Sequence, residues 1–308
     1  MPDAPESPAR RFVHVCYCCA AAEPVTEFLV DGLGMTHAMS TPTQRSSGAV
    51  LGLPGDIESG AAFVYDARGP RTSPAIEVQT WVDPPLTGIP VDDPTAAGIQ
   101  ALGFSVPDLS AVTERLHSLG CVVVGAGQSP FGTEWTTLRD ARGVTFDVVA
   151  EAAVPAGETR MCHLRITCTD LERSLPWYQG LGFRVLATEA MKDASFLGLV
   201  DEVDVRAARL RLPDEPFEAL LLQWRDPASH GRHTTDPNHA GLFRAALGVD
   251  DTRASYAAMT AAGWVFERAP LLVEMPGTPV PDLWICFLSD PDGVPFELVQ
   301  RPRHAFRA

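Results

Sequence analysis

The chain contains short segments in which apolar and polar residues alternate with the period of a β-strand. Phe12 to Cys18 alternates in this way, and Ala101 to Val106 is a second apolar segment of strand length. Each is followed by a short amphipathic segment, over Pro24 to Val30 and over Ala111 to Leu119, and the first helix is expected to stop at Gly32. Further strands come after each helix. The pattern predicts units with one strand, one helix and then three strands.

This order recurs because the chain carries an internal repeat. Four pairs of similar segments occur in the same order: Gly32–Met35 with Gly180–Phe183, Trp81–Pro84 with Trp224–Pro227, Leu119–Val122 with Ala262–Val265, and Asp140–Asp147 with Asp290–Glu297. We therefore predict two similar halves of two modules each. The first domain is 10–150, with modules at about 10–85 and 98–150; a linker at 151–160 follows; the second domain is 161–303, with modules at about 161–227 and 240–302.

Composition and net charge say more about the binding partners of the protein than about its fold. The 308 residues are 45% hydrophobic and 20% charged, as in globular proteins, and the formal net charge is −15. Such acidity disfavours binding to nucleic acid and to anionic membranes, because both require concentrated Lys and Arg. A neutral or cationic small molecule is the expected partner. The first residues do not read as a secretory signal, so we expect a cytoplasmic protein.

Seven cysteines are present, an odd number in a chain too long to need disulfide bonds for stability, which favours reduced thiols. No G-x-S-x-G elbow, P-loop or Rossmann glycine pattern occurs. Serine hydrolases, NTPases and dinucleotide enzymes are therefore disfavoured.

Two sequence segments resemble those of a known protein family. The first runs from His163 through Asp170, Trp177 and Gly182 to Phe183, and the second is Asp290-Pro-Asp-Gly-Val-Pro-Phe-Glu-Leu-Val. They resemble the opening strand and helix, and the closing hairpin, of a module of the vicinal oxygen chelate superfamily of glyoxalases, bleomycin-resistance proteins and extradiol dioxygenases. The resemblance implies an α+β fold of tandem βαβββ modules. It also implies two glyoxalase-like domains, each a cupped mixed sheet flanked by helices.

In this family a metal ion lies inside each cup, held by one residue on the first strand and one on the last strand of each module. The corresponding positions on the first strands are His14, Ala101, His163 and Arg244, and those on the last strands are Glu77, Asp147, Leu220 and Glu297. The resemblance therefore implies that the N-terminal half keeps three candidate ligands, with Ala101 in the place of the fourth, and that the C-terminal half keeps only His163 and Glu297.

For the N-terminal half the resemblance predicts a divalent metal site made by His14, Glu77 and Asp147. One imidazole and two carboxylates suit Mn²⁺, Mg²⁺, Co²⁺ or Zn²⁺, and positions left open would admit water and substrate. Glu77 or Asp147 is then the candidate catalytic base. The alternative interpretation is that His14 and Glu77 form a satisfied polar pair in an inactive cup.

For the C-terminal half no metal is expected, because Leu220 cannot ligate and Arg244 would repel a cation. Arg244 is instead expected to pair with Glu297 or with a substrate carboxylate. His163, Arg244, Glu297 and Trp224 are the candidate substrate-binding residues, although aromatic residues beside a sheet more often belong to the core.

Two functions are the main candidates from the sequence, and a metal-free enzyme that uses the cup only to shape a reactive ligand is a third possibility. The first is a divalent-metal-dependent lyase or isomerase acting on a small oxygenated metabolite, for example in secondary metabolism. The alternative is a metal-free protein that binds a drug or metabolite, of the bleomycin-resistance type. An extradiol dioxygenase ranks below both, because the ligand set is not the two-His, one-carboxylate triad that supports Fe(II). A monomer and a homodimer are both compatible with four modules in one chain.

Overall fold

The computed structural model describes residues 8–199, 202–274 and 282–301, and within these ranges the chain forms two curled, eight-stranded mixed sheets flanked by four α-helices. The α+β fold predicted from the sequence is confirmed. The expected ends of the last module and of the second domain, at residues 302 and 303, lie outside the described residues. In the same ranges, no helix combines the length and the apolar character needed to span a bilayer.

Each module consists of a strand, a helix and three strands, as the repeat predicts. Module 1 contains β1 (Arg11–Cys19), α1 (Ala22–Leu33), β2 (Thr36–Ser47), β3 (Asp56–Tyr65) and β4 (Ala75–Asp83). Module 2 contains β5 (Gly98–Val106), α2 (Leu109–Ser118), β6 (Val122–Gln128), β7 (Glu134–Arg139) and β8 (Thr145–Ala150). Module 3 contains β9 (Arg160–Thr167), α3 (Leu171–Leu181), β10 (Arg184–Met191), β11 (Asp204–Arg211) and β12 (Glu218–Asp226). Module 4 contains β13 (Gly241–Val249), α4 (Thr252–Ala261), β14 (Leu271–Glu274), β15 (Asp282–Ser289) and β16 (Pro295–Gln300).

The grouping of the modules differs from the expected one. One sheet has the order β14-β15-β16-β13-β1-β4-β3-β2, and the other has the order β10-β11-β12-β9-β5-β8-β7-β6. Module 1 therefore shares a sheet with module 4, and module 2 with module 3, instead of consecutive modules sharing one. The physical reason is that β1 pairs antiparallel with β13, while β5 pairs antiparallel with β9. We call the concave face of the module 1 and 4 sheet the first cup, and that of the module 2 and 3 sheet the second cup.

Helix α1 extends beyond the stop expected at Gly32. It ends at Leu33 and is followed by Gly34, whose φ of 64° is the left-handed conformation that glycine adopts readily. Gly32 instead lies where two helices meet, since a Cβ atom there would be 2.8 Å from Cδ2 of Leu116 on α2. A glycine does follow the helix, but it is Gly34. Gly32 is explained by the close packing of α1 against α2.

The helices join the two sheets into one hydrophobic core. Phe28 on α1 packs against Phe146 on β8 of the other sheet, with ring centroids 5.6 Å apart. Trp177 on α3 likewise packs against Phe296 on β16 of the first sheet, at 5.5 Å. Each of these modules thus buries its helix against a strand of the sheet to which it does not belong. The concave faces of both sheets point away from this common core.

Two tyrosines fix the turns that precede the last strands of modules 2 and 4. The Tyr17 hydroxyl donates to Asp140 at 2.8 Å, and the Tyr178 hydroxyl donates to Asp290 at 3.0 Å. Both aspartates also accept backbone N–H groups of their own turns. The similar segments that begin at Asp140 and Asp290 therefore form the same turn.

Glu215 connects the two sheets through a buried carboxyl group. It lies between β11 and β12, and the backbone N–H of Phe12 on β1 donates to its Oε1 atom. Its Oε2 atom has no hydrogen-bond partner among the described residues. Burial raises the pKa of Glu215 to about 8, although the Phe12 hydrogen bond and the charges of Arg11 and Arg68 act in the opposite direction. The group is therefore protonated at neutral pH.

We expect the Glu215→Gln variant to remove a pH-dependent loss of stability. An acid with a raised pKa contributes its full stability below its unfolded value and loses that contribution as the pH rises toward the folded value. The difference in unfolding free energy between variant and wild type should therefore grow from pH 5 to pH 8, by up to about 1.4 kcal/mol per pH unit. Urea denaturation across this range measures it, and a pH-independent difference would contradict the assignment.

Candidate functional site

The floor of the first cup is built by the innermost strands of modules 1 and 4. β1 carries an irregularity between Phe12 and His14 where it pairs with β13, so the neighbouring residues Val13 and His14 both face the concave side. Glu77 on β4, Arg244 on β13 and Glu297 on β16 face the same space. Four side chains from four adjacent strands therefore meet on one surface.

Arg244 lies at the centre of this floor and is only 4% exposed. Its Nη2 atom donates to Oε2 of Glu77 at 2.7 Å, and its Nε atom donates to Oε2 of Glu297 at 3.3 Å. Nη1 donates to the side-chain oxygen of Gln79 at 2.9 Å. Three of the five N–H groups of the guanidinium are thus used, which leaves one N–H on each terminal nitrogen.

His14 faces the same two carboxylate oxygens from the other side. Its Nε2 atom is 3.3 Å from Oε2 of Glu77 and 3.5 Å from Oε2 of Glu297. These contacts do not have hydrogen-bond geometry, and Nε2 is buried without a hydrogen-bond partner among the described residues. An imidazole nitrogen that is buried and unsatisfied at the base of an open cavity is available to a bound molecule.

The charges on the floor stabilise one another. Burial on its own would raise the pKa of Glu297, but the adjacent His14 imidazole and the charge of Arg244 lower it below its ordinary value. Burial likewise acts to lower the pKa of Arg244, yet Cys16, Glu77 and Glu297 together raise it. The guanidinium and the Glu297 carboxylate therefore form a charged pair at neutral pH.

A cavity of about 680 Å³ opens over this floor. Its walls are mainly apolar, and they are formed by strand residues that alternate toward the concave side and by the short helical turn Gly48–Leu51. The apolar wall residues include Val13, Val50, Leu51, Ile57, Ala61, Phe63, Val273, Leu283, Ile285, Phe287 and Val299. This volume suits a small organic molecule with a largely apolar body and a few polar groups.

The second cup holds a different cluster around Asp147 on β8. Arg165 donates to both oxygens of this carboxylate, at 2.8 and 3.1 Å, and His163 Nε2 lies 3.1 Å from it. The Thr137 hydroxyl donates to Oδ1 at 2.9 Å. Although burial acts to raise it, the pKa of Asp147 is held well below its ordinary value by Arg165 and His163. Every acceptor direction of this carboxylate is in use.

The second cup is also filled by its own side chains. The short turn Ser195–Leu197 lies across it, and a Cβ atom at Gly125 would be only 2.3 Å from the Ser195 carbonyl oxygen. Trp135 stacks on His163 with ring centroids 4.8 Å apart. The remaining buried apolar residues of this cluster are Val149, Met191, Ala194, Phe196, Leu197, Val203, Val205, Ala207, Leu220, Leu222 and Trp224. These side chains pack against one another in the second cup.

The structure separates the site residues that the sequence grouped together. His14 and Glu77 lie in the first cup with Arg244 and Glu297, which the sequence assigned to the other half. Asp147 and His163 lie in the second cup, as does Trp224, which belongs to its apolar filling. The predicted ligand set His14, Glu77 and Asp147 is therefore not one site, because Asp147 belongs to the other sheet.

Sequence reasoning missed Gln79, which accepts a hydrogen bond from Arg244 at the centre of the floor. Gln79 lies two residues beyond Glu77, a predicted site residue on the same strand. Because alternate residues of a strand share a face, that spacing was the signal that could have found it.

The floor of the first cup does not fit a divalent ion while Arg244 is in place. Two donors 2.1 Å from a tetrahedral ion are about 3.4 Å apart, and His14 Nε2 has this spacing from both carboxylates, at 3.3 and 3.5 Å. The same carboxylate oxygens, however, accept from the guanidinium. Two unit charges about 4 Å apart repel by roughly 4 kcal/mol at an effective dielectric constant of 20, and a divalent ion doubles this. Within the described residues, no three His, Cys, Asp or Glu side chains are arranged to hold a metal.

Known proteins resemble this chain in sequence over part of its length and in fold over nearly all of it. Residues 160–298 match the model of the Glyoxalase/Bleomycin resistance protein/Dioxygenase superfamily. The likeness of fold covers nearly the whole chain. Glyoxalase I from Zea mays superposes with a TM-score of 0.69 at 19% identity, over 94% of this chain and 92% of that one. The resemblance inferred from the sequence is confirmed.

Single-residue mutants of the same maize protein give similar values. One superposes with a TM-score of 0.68 at 20% identity, covering 94% of this chain and 92% of that chain. Another has a TM-score of 0.67 at 20% identity, with 94% of each chain covered. No curated protein matches this chain by sequence. At these identities the structural likeness establishes a shared fold, and the chemistry has to be argued from the floor of the first cup.

We expect Asp147→Asn to destabilise the protein without affecting the first cup. The substitution leaves the buried Arg165 guanidinium without its anionic partner, which costs about 3–5 kcal/mol of unfolding free energy. The matched control is Glu58→Gln, which removes a more exposed ion pair with Arg45 and should change stability by less than about 1 kcal/mol. Chemical denaturation of the three proteins measures this, and similar losses in both variants would show that Asp147 is not a structural charge.

Proposed function

We propose that the protein binds a small molecule in the first cup, between modules 1 and 4, without a resident metal ion. The observation that carries this proposal is the 680 Å³ cavity over a polar floor whose central position is taken by a guanidinium. The sequence had favoured a metal-dependent enzyme in the N-terminal half. The proposed site instead combines residues of both ends of the chain.

The floor and walls suggest how a ligand is oriented. Apolar side chains of β3, β15 and β16 would contact its body, whereas its polar atoms would face His14 and Arg244. The floor contains two carboxylates and one guanidinium, and these three groups together carry a net charge of −1. The acidity of the chain, with a formal net charge of −15, adds to this field. A neutral or cationic polar group is therefore favoured over a small anion at the floor.

A second candidate function is a metal-dependent lyase or isomerase, in which His14, Glu77 and Glu297 would be the ligands. The spacing of His14 Nε2 from the two carboxylates supports it. The buried guanidinium opposes it. Metal stoichiometry of the purified protein after growth with divalent metals separates the two candidates, because only the second requires a tightly bound ion.

The cavity itself can be tested with the apolar dye Nile red and the variant Ala61→Trp. Ala61 lines the cavity on β3, so an indole there would occupy the space in which a ligand lies. We expect dye binding, measured by fluorescence titration, to weaken by at least about tenfold, or 1.4 kcal/mol.

The matched control is Val265→Trp, since Val265 is 83% exposed and does not line the cavity. It should bind the dye as the wild type does. Displacement of the dye by fractions of a metabolite extract then identifies the natural ligand, and comparison of that ligand before and after incubation distinguishes binding from turnover. If Ala61→Trp bound dye and ligand normally, the first cup would not be the functional site.

A further inference from the structure

The two carboxylates of the first cup are shared between a cation and an imidazole. Oε2 of Glu77 accepts from Nη2 of Arg244 at 2.7 Å and lies 3.3 Å from Nε2 of His14. Oε2 of Glu297 accepts from Nε of Arg244 at 3.3 Å and lies 3.5 Å from the same imidazole nitrogen. One imidazole nitrogen from module 1 therefore lies within 3.5 Å of two carboxylate oxygens, one from each module, and the Arg244 side chain supplies the positive charge there.

We propose that Arg244 is the built-in cation of the first cup, in the place that a divalent ion would otherwise take. The guanidinium neutralises one carboxylate charge, fixes Glu77 and Glu297 beside His14, and excludes a metal ion. Its remaining N–H group on each terminal nitrogen binds an oxygen atom of the ligand. This last step rests on the proposed function, whereas the exclusion of metal does not.

The second cup contains a comparable cluster of an arginine, a carboxylate and a histidine, but this cluster is covered by other side chains. Arg165 neutralises Asp147 beside His163, but Ala101 and Leu220 stand where further donors would be, and the turn Ser195–Leu197 covers the cluster. Asp147 and His163 meet there, with the Cys162 thiol against the other ring nitrogen of His163, and no third carboxylate or imidazole of the described residues bonds to either. Removing Arg165 should therefore not create a metal site, which makes this cup an internal control.

The proposal predicts that removing the guanidinium uncovers a metal site. Arg244→Gln removes the charge and keeps a polar side chain, and Arg244→Lys keeps a positive charge in the floor. We expect Arg244→Gln to bind one equivalent of Zn²⁺ at least about 100-fold more tightly than the wild type or Arg244→Lys, because the cation–cation repulsion is gone. Isothermal titration measures the affinity, and the visible absorption of bound Co²⁺ reports coordination by nitrogen and oxygen donors.

Two further variants make the test specific. Adding His14→Ala to Arg244→Gln should abolish the gained affinity, and Arg165→Gln should show no gain. If Arg244→Gln is unstable without metal, Zn²⁺ should raise its melting temperature while leaving wild type and Arg165→Gln unchanged. The proposal is overturned if wild type binds Zn²⁺ through His14 as tightly as Arg244→Gln does, or if Arg244→Gln gains no affinity.

These results are independent of the ligand test. Gain of Zn²⁺ binding together with normal dye binding by Ala61→Trp would reject the proposed function and retain Arg244 as the built-in cation. Loss of dye binding by Ala61→Trp without any gain of Zn²⁺ affinity in Arg244→Gln would retain the small-molecule site and reject this role for the guanidinium.

Discussion

The antiparallel pairing of β1 with β13 determines what each cup contains. It brings the first strand of the chain beside the first strand of the last module, so that His14 and Arg244 share one concave surface. Because each module closes its sheet with a last strand parallel to its first, Glu77 and Glu297 follow from the same pairing. Modules 2 and 3 are then left to pair with each other through β5 and β9. The site thus depends on a contact between the two ends of the chain.

The two cups are built from the same kinds of strands, but one is filled by side chains and the other holds an open cavity. In the second cup, a fully bonded Asp147 and a cluster of apolar side chains fill the concave face, so that the sheet is stabilised as a packed core. In the first cup, the corresponding space is open, and the buried charges of the floor are balanced by a guanidinium. A buried charge needs a partner whether or not a ligand is present, and Arg244 supplies that partner permanently.

Much of the fold followed from the sequence because its signals are local. The βαβββ order, the repeated aspartate turns at Asp140 and Asp290, and the inward positions His14, Glu77, Arg244 and Glu297 all depend on residues close together in the chain. The grouping of modules did not follow, because every first strand has a similar apolar pattern and none specifies its partner. Because the grouping of modules was not known, Asp147 was assigned to the same cup as His14 and Glu77, which is wrong. Gln79 was missed although it shares a strand face with the predicted residue Glu77.

A double-mutant cycle on unfolding free energy tests the account most directly. If modules 1 and 4 share the first cup, Arg244→Met and Glu77→Gln should be coupled by about 1 kcal/mol or more, because the two side chains are in direct contact. Arg244→Met and Asp147→Asn should be additive to within about 0.5 kcal/mol, since these residues lie in different sheets. Strong coupling of Arg244 to Asp147, with none to Glu77, would contradict the grouping of modules and the site built on it.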